Sequence, residues 1–186
     1  STPPMVCVTY ANGLFMALST NGGKSFISTS TDGINWAIGP QISNLMTNIT
    51  YGNGSFIAVT RYLDGRQVFT STNDGITWTQ RITPLNNEWQ SVTFNNGLFV
   101  AVAKSVDNSG TGNRVMTSAD GITWTARSSA ADNNWTSVTY GNGVFVAVAS
   151  SGSGNRVMTS SYFSVADAPV ITSALKRILF NEFSNF

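Results

Sequence analysis

Two tryptophans carry the chemistry that is easiest to name. Trp89 follows Asn87 and Glu88, and Trp135 follows Asp132, Asn133 and Asn134. An aromatic face flanked by amides and carboxylates suits a sugar, which stacks its C–H face and bonds its hydroxyls. Arg114 and Arg156 fall near the same positions of successive repeats and would add charge. The same rings would equally plug an apolar core, and the residues alone leave both uses open. Catalysis has a thinner basis. The chain has no His, so the commonest general base and metal ligand is missing. Glycoside hydrolysis needs two opposed carboxylates. Three of the nine acidic residues, Asp32, Asp74 and Asp120, sit in Asp-Gly turns. Asp64, Glu88, Asp107 and Asp132 are scattered over separate loops. No Cys/His cluster, phosphate loop or dinucleotide fingerprint is present, so neither metal nor cofactor is expected and the reading is non-enzymatic.

Composition narrows the partners. Charged residues are 10% and net charge is +1, so there is no field to draw in a polyanion and nucleic acid is not an expected partner. No apolar run is long enough to span a membrane. Cys7 is a single thiol in an apolar strand pattern, read as buried and inert. Few charges and many Asn, Thr and Ser suit an extracellular or virion surface.

The elements that must position these residues come from a repeat. Tyr10, Tyr51, Phe94 and Tyr140 each precede an Asn-Gly turn and an apolar strand, in steps of 41, 43 and 46 residues. Each repeat parses into four short strands with tight turns after the first and third. The second strand, such as Leu98–Ala103, is apolar on both faces, as a strand between neighbouring sheets must be. Four-stranded units at this period predict an all-β propeller. Its blades are expected at about 5–38, 46–82, 89–128 and 135–165, with an irregular last blade. A tail over 166–186 follows, with a short helix expected at 173–183. The tail either covers the last blade's open edge or serves as an assembly arm for self-association. The ring closes with four blades, or is half of a larger ring, or is part of a longer protein.

Asp32-Gly33 with Trp36, Asp74-Gly75 with Trp78, and Asp120-Gly121 with Trp124 are three copies of one turn. Here the chain resembles the Asp-box repeats of sialidase-type β-propellers. It departs from their Ser-x-Asp-x-Gly-x-Thr-Trp pattern because Asp and Gly are adjacent. An ungapped alignment puts Thr31, Asn73 and Ala119 at the family's Asp position. The resemblance implies a propeller whose boxes are structural and lie away from any active site. Enzymes of that family use an arginine cluster, a Tyr nucleophile with a partner carboxylate, and a further Asp, and no such motif is recognisable here.

A meander of four strands puts the turns after strands one and three on one face, and the remaining connections on the other. The first face is short and uniform. The second carries long, unlike loops, among them 19–24, 60–65, 104–113 and 150–155. Loops on a rigid scaffold are where binding residues concentrate. The expected function is a surface module that binds a glycan or a cell-surface or virion protein through this face. A structural subunit of a capsid or fibre is the alternative, and a glycosidase-like enzyme is third.

Overall fold

The computed structural model describes residues 3–61, 67–104, 113–160 and 184–185. It is built of four antiparallel sheets of four strands, with no helix among the described residues. Blade 1 holds β1 (Met5–Ala11), β2 (Leu14–Asn21), β3 (Lys24–Ser30) and β4 (Ala37–Ile42). Blade 2 holds β5 (Met46–Gly52), β6 (Ser55–Thr60), β7 (Val68–Ser71) and β8 (Thr79–Arg81). Blade 3 holds β9 (Glu88–Asn95), β10 (Leu98–Lys104), β11 (Val115–Ser118) and β12 (Thr125–Arg127). Blade 4 holds β13 (Trp135–Gly141), β14 (Val144–Ala149), β15 (Val157–Thr159) and β16 (Ser184–Asn185).

Three details differ from the sequence reading. The connection 19–24 is not a long loop. It is a two-residue turn at Gly22 and Gly23, both at positive φ. Blade 1 runs to Ile42 rather than 38. The fourth strand of blade 4 comes from the far C-terminus, where Ser184 and Asn185 pair with Thr159 and Met158. The helix expected at 173–183 lies outside the described residues.

Each strand-one to strand-two hairpin turns on Asn at positive φ followed by Gly: Asn12, Asn53, Asn96 and Asn142. Asn tolerates this conformation because its short side chain can bond locally. Two rings then close over the hairpin, as in Tyr51–Phe56 and Phe94–Phe99, with centroids 4.8 and 4.4 Å apart.

Blades stack by their first strands, β1 on β5, β5 on β9 and β9 on β13. The core lies between blades. Ile57, Val59 and Val68 of blade 2 meet Trp89, Val92, Phe99, Ala101 and Met116 of blade 3. Val100, Val102 and Val115 of blade 3 meet Trp135, Val138, Phe145, Ala147 and Met158 of blade 4. Met16, Leu18 and Ile27 of blade 1 meet Met46, Ile49, Phe56, Ala58 and Phe69 of blade 2. Every one of these residues is buried. This explains why strand two is apolar on both faces: each face belongs to a different interface.

The Asp-Gly turns lock the third and fourth strands. In blade 1 the Ser30 hydroxyl accepts the N–H groups of Asp32 and Gly33, and Asp32 Oδ1 accepts those of Ile34 and Asn35, at 2.8 Å each. Blade 3 repeats this with Ser118 and Asp120. Blade 2 has one residue more between the serine and the glycine. There Asn73, not Asp74, accepts the backbone N–H, from Thr77 at 3.0 Å. Asp74 is the inserted residue, at positive φ, and its carboxylate accepts Asn12 Nδ2 of blade 1. Asn53 of blade 2 likewise donates to Ala119 O of blade 3. Hairpins and Asp-Gly turns therefore do share one face. In each turn the tryptophan indole (Trp36, Trp78, Trp124) donates to the carbonyl of the turn glycine.

The turn glycines have unequal surroundings. All three have positive φ. A Cβ on Gly121 would stand 2.5 Å from Ile57 Cδ1, across the blade 2–3 interface. A Cβ on Gly33 would meet only Phe15 of its own blade, at 3.4 Å. Gly33→Ala should therefore cost about 1–2 kcal/mol, the left-handed backbone alone. Gly121→Ala should cost about 1–3 kcal/mol more, from overpacking the interface. Urea unfolding of the two variants tests this, and equal losses would show that Gly121 is not an interface residue.

Candidate functional site

The residues that the sequence marks for binding do come together, but as the joints between blades. Trp89 and Trp135 are fully buried. The Trp89 indole donates to Gln67 Oε1 at 2.9 Å, and the Trp135 indole to Ala131 O at 3.1 Å. Neither ring offers a face to a sugar. Strand one begins at the edge where the preceding blade covers it, so a large ring there fills the interface. Of the two uses open in the sequence, the plug is the one realised.

The amides beside them are spent in the same way. Asn87 donates to Asn113 O at 2.8 Å, and Asn133 to Asn155 O at 2.7 Å. In each case the start of strand one is tied to the residue leading into strand three. Both asparagines are buried. Asn87 Oδ1 also accepts Arg114 Nη1 at 3.0 Å. Arg114 is buried and its Nη2 pairs with Asp132 Oδ1 at 2.7 Å. Arg114 belongs to blade 3, and Asp132 to the connection into blade 4. Glu88 begins β9, half-buried and opposite Lys104. Arg156 is the blade 4 counterpart of Arg114 and is exposed, with Nε donating to Gly152 O at 2.7 Å.

A pattern missed in the sequence emerges: one buried polar residue before strand three, or opening it, reaches the lead-in of the next blade. Ser25 accepts Met46 N at 2.8 Å and donates to Asn44 O at 2.7 Å. Gln67 bonds Trp89, Asn87 and Thr83. Arg114 bonds Asp132 and Asn87. Ser, Gln and Arg share no chemical label that a motif search would find. They share a place at the start of strand three but not a register, since Phe26 pairs with Ser19 as Gln67 meets Thr60 and Arg114 meets Ala103, and Ser25 lies one residue earlier.

A second hidden series lies on strand one. Asn48 Oδ1 accepts Val92 N at 3.0 Å, and Ser91 Oγ accepts Val138 N at 3.3 Å. Cys7 holds the same place in blade 1. Burial raises its thiol pKa, opposed by a hydrogen bond from the Ile49 backbone. It is half-buried rather than fully so, and its neighbours give it a packing role.

Asp32 and Asp120 are the described carboxylates with resolved shifts. The backbone N–H groups of Asn35 and Ile34, then the Asn35 and Ser30 side chains, hold Asp32 well below the usual range. For Asp120, burial raises the pKa but is outweighed by the N–H groups of Thr123 and Ile122 and by Ser118. Both are turn locks, and a depressed pKa here reports a satisfied anion. No group of three His, Cys, Asp or Glu is placed to hold a metal among the described residues.

Two outcomes follow. A folded pKa below the unfolded value contributes stability above about pH 3.9, which is lost as pH falls from there toward the folded value. The melting temperature should thus drop below about pH 4, and Asp120→Asn should flatten that drop, because blade 2 already closes its turn with an amide. An unchanged acid profile in Asp120→Asn would remove Asp120 from the account. Arg114→Met should cost about 3 kcal/mol by leaving Asp132 and Asn87 unpaired. Combining it with Asp132→Asn should cost less than the sum of the two, and strict additivity in denaturant titrations would mean the pair is not coupled.

No protein-family model matches this chain, and no curated protein matches it in sequence. Solved structures match it in fold. YCF48 bound to a D1 peptide aligns with a TM-score of 0.57 at 15% identity, over 86% of this chain and 49% of that one. The computationally designed Ika4 protein aligns with a TM-score of 0.58 at 11% identity, over 88% of this chain and 94% of that one. A luciferin-regenerating enzyme aligns with a TM-score of 0.60 at 9% identity, over 78% and 53%. The chain spans about half the length of YCF48 and of the enzyme, and nearly all of the designed protein. The likeness is one of fold: this chain is built as a β-propeller, an architecture found in both enzymes and binding proteins.

Proposed function

We propose that this chain is a non-enzymatic binding module of an extracellular or virion surface, and that it takes a segment of another protein through its long-loop face. The observation that carries this is the contrast between the two faces. The hairpin and Asp-Gly face is uniform, and Asn12, Asn53 and Asp74 on it are engaged in blade-to-blade bonds. On the other face strand two and strand three are joined by a two-residue turn in blade 1, and by 61–67, 105–114 and 150–156 in the other blades. Unlike loops on a repeated frame are what recognition of an unlike partner requires. A protein segment is favoured over a glycan because the two aromatic platforms that would suit a sugar are buried. YCF48, one of the structural neighbours, is bound to a peptide.

The non-enzymatic reading is supported by how four of the five described carboxylates are used, all but Glu88. Asp32 and Asp120 close turns, Asp74 takes Asn12, and Asp132 takes Arg114. The opposed pair that glycoside hydrolysis needs is not formed from these four. A relation to Asp-box propellers is supported by blade 2. With its inserted residue, Ser71-Thr72-Asn73-Asp74-Gly75-Ile76-Thr77-Trp78 has the family's full spacing, with Asn at the Asp position. Blades 1 and 3 are then the same box shortened between Asp and Gly, with Asp32 and Asp120 in the family's Asp role. A structural subunit is the second reading, favoured by the uncovered faces at the two ends of the blade series.

The test is selection from a displayed random-peptide library, with a glycan array alongside. Residues 151–154 are then replaced by Asn-Gly-Gly-Lys, the hairpin that blade 1 carries in the same register, which keeps Asn155 as the partner of Asn133. Selected peptides should lose at least about tenfold in affinity while the melting temperature holds. Peptide binding that survives this change, and the same change made in 105–113, would sink the loop-face reading. Glycan hits without peptide hits would sink the choice of a protein ligand.

A further inference from the structure

Among the described residues the four blades form an arc with an exposed apolar face at each end, and the two ends are unlike. Register identifies what each is missing. Val148 pairs with Val157 in blade 4 as Val102 pairs with Val115, Val59 with Val68, and Leu18 with Ile27. In blades 1 to 3 all six of those counterparts are fully buried under the next blade. In blade 4, Val148 is 44% and Val157 36% exposed. The opposite holds at the start. Met46, Trp89 and Trp135 are buried by the preceding blade, as are Ile49, Val92 and Val138. Their blade 1 counterparts, Met5 and Val8, are 64% and 62% exposed. Trp124 is 7% exposed and its counterpart Trp36 is 41% exposed. Met5, Val8, Ala17 and Trp36 line an apolar cleft of about 350 Å³ on blade 1.

We propose that a second copy of this chain closes the arc: the Val146, Val148 and Val157 face of one copy seats in the Met5, Val8 and Trp36 cleft of the other, at both ends, making an eight-bladed ring of two chains. The occupant is named by the interfaces already present. The blade 4 face repeats the aliphatic side of the blade 2–3 and 3–4 interfaces, and the blade 1 cleft repeats the other side. The polar devices match as well. Asn48 and Ser91 accept the N–H of the next blade's Val92 and Val138. Ser137 holds that register in blade 4, is exposed, and would accept Val8 N–H of the second copy. The contact is head-to-tail, and such contacts generate a ring where the rotation closes. The inference does not depend on what the loop face binds.

The test is the native mass of the full chain by light scattering or sedimentation, up to about 100 µM. Twice the chain mass is expected. Val8→Glu and Val148→Glu alter positions that are exposed in one copy, so each variant should keep its fold. Each should weaken self-association by at least about tenfold. Mixing the two should recover part of the self-association through one junction, because the intact blade 4 of the first fits the intact blade 1 of the second while the other junction carries both substitutions. Met5→Glu serves as a second variant if Val8→Glu disturbs β1. A wild-type monomer at every concentration would overturn the proposal, and would mean that residues 161–183 or another partner cover the ends. So would assemblies larger than two, or a dimer indifferent to either variant. Loss of loop-face binding with the dimer intact would bear on the loop reading alone.

Discussion

A four-stranded sheet that is apolar on both faces cannot stand alone in water. That constraint organises this molecule. β6 and β10 are buried along nearly their whole length, so neither face of blade 2 or blade 3 is available to solvent. Each blade supplies half of two interfaces and completes neither. Burying a ring such as Trp89 or Trp135 contributes on the order of 2–3 kcal/mol, and only when the preceding blade is in place. Stability is therefore a property of the junctions, as expected of a repeat array. The same logic makes the first and last blades different in kind from the middle two, although their sequences are close copies.

The joints are built from two materials. Aliphatic and aromatic side chains fill the middle of each interface. Polar side chains seal its long-loop edge, with Ser25, Gln67 and Arg114 at or just before the start of strand three. Their lengths differ, and so do their targets: a backbone pair for Ser25, an indole and a backbone for Gln67, a carboxylate and an amide for Arg114. The connection into the next blade supplies a partner to each: Asn44 O and Met46 N to Ser25, Asn87 O to Gln67, and Asp132 to Arg114. A polar group buried here without its partner would cost more than an apolar one. Each joint therefore matches one blade to its own successor, and the polar edge specifies blade order while the apolar middle supplies adhesion.

Much of this was legible in the sequence, for a physical reason. Hairpins and blade periods are local, so Asn12-Gly13 and its three repeats mark their own turns, and the step between Tyr51 and Phe94 marks the period. The roles of Trp89, Trp135, Asn87 and Arg114 are not local. Their partners lie a blade away, and a sequence shows that a ring is flanked by polar groups without showing whether a neighbouring sheet lies over it. The turn chemistry failed at one residue for a related reason. Asp-Gly looks the same in all three turns, but in blade 2 the inserted Asp74 moves the acceptor role back to Asn73. Spacing from the serine, rather than the identity of the dipeptide, decides which side chain closes the turn. The apolar character of β14 was equally visible. What the sequence does not display is that Val148, on one of its faces, is left exposed while its counterparts in the other blades are buried.

The two faces of the blade array divide its work. On the turn face, Asn53 reaching Ala119 and Asn12 reaching Asp74 couple neighbouring blades through side chains that project from the hairpins. Substitution there disturbs the joint. On the loop face, the joint is sealed by residues that open or precede strand three, and the blade 4 connection is tied to it through Asn155 and Ser151. Between equivalent residues, Ser19–Phe26, Thr60–Gln67 and Ala149–Arg156 enclose six residues each and Ala103–Arg114 encloses ten. Blade 3 accepts the longer connection because closing a longer loop adds little entropy cost. Under the proposed reading, such a frame would let recognition change on one face while the ends set assembly. The apolar cleft at Met5 and Trp36 and the exposed valines of blade 4 are separate in space from the loops, so the two proposals can be tested independently.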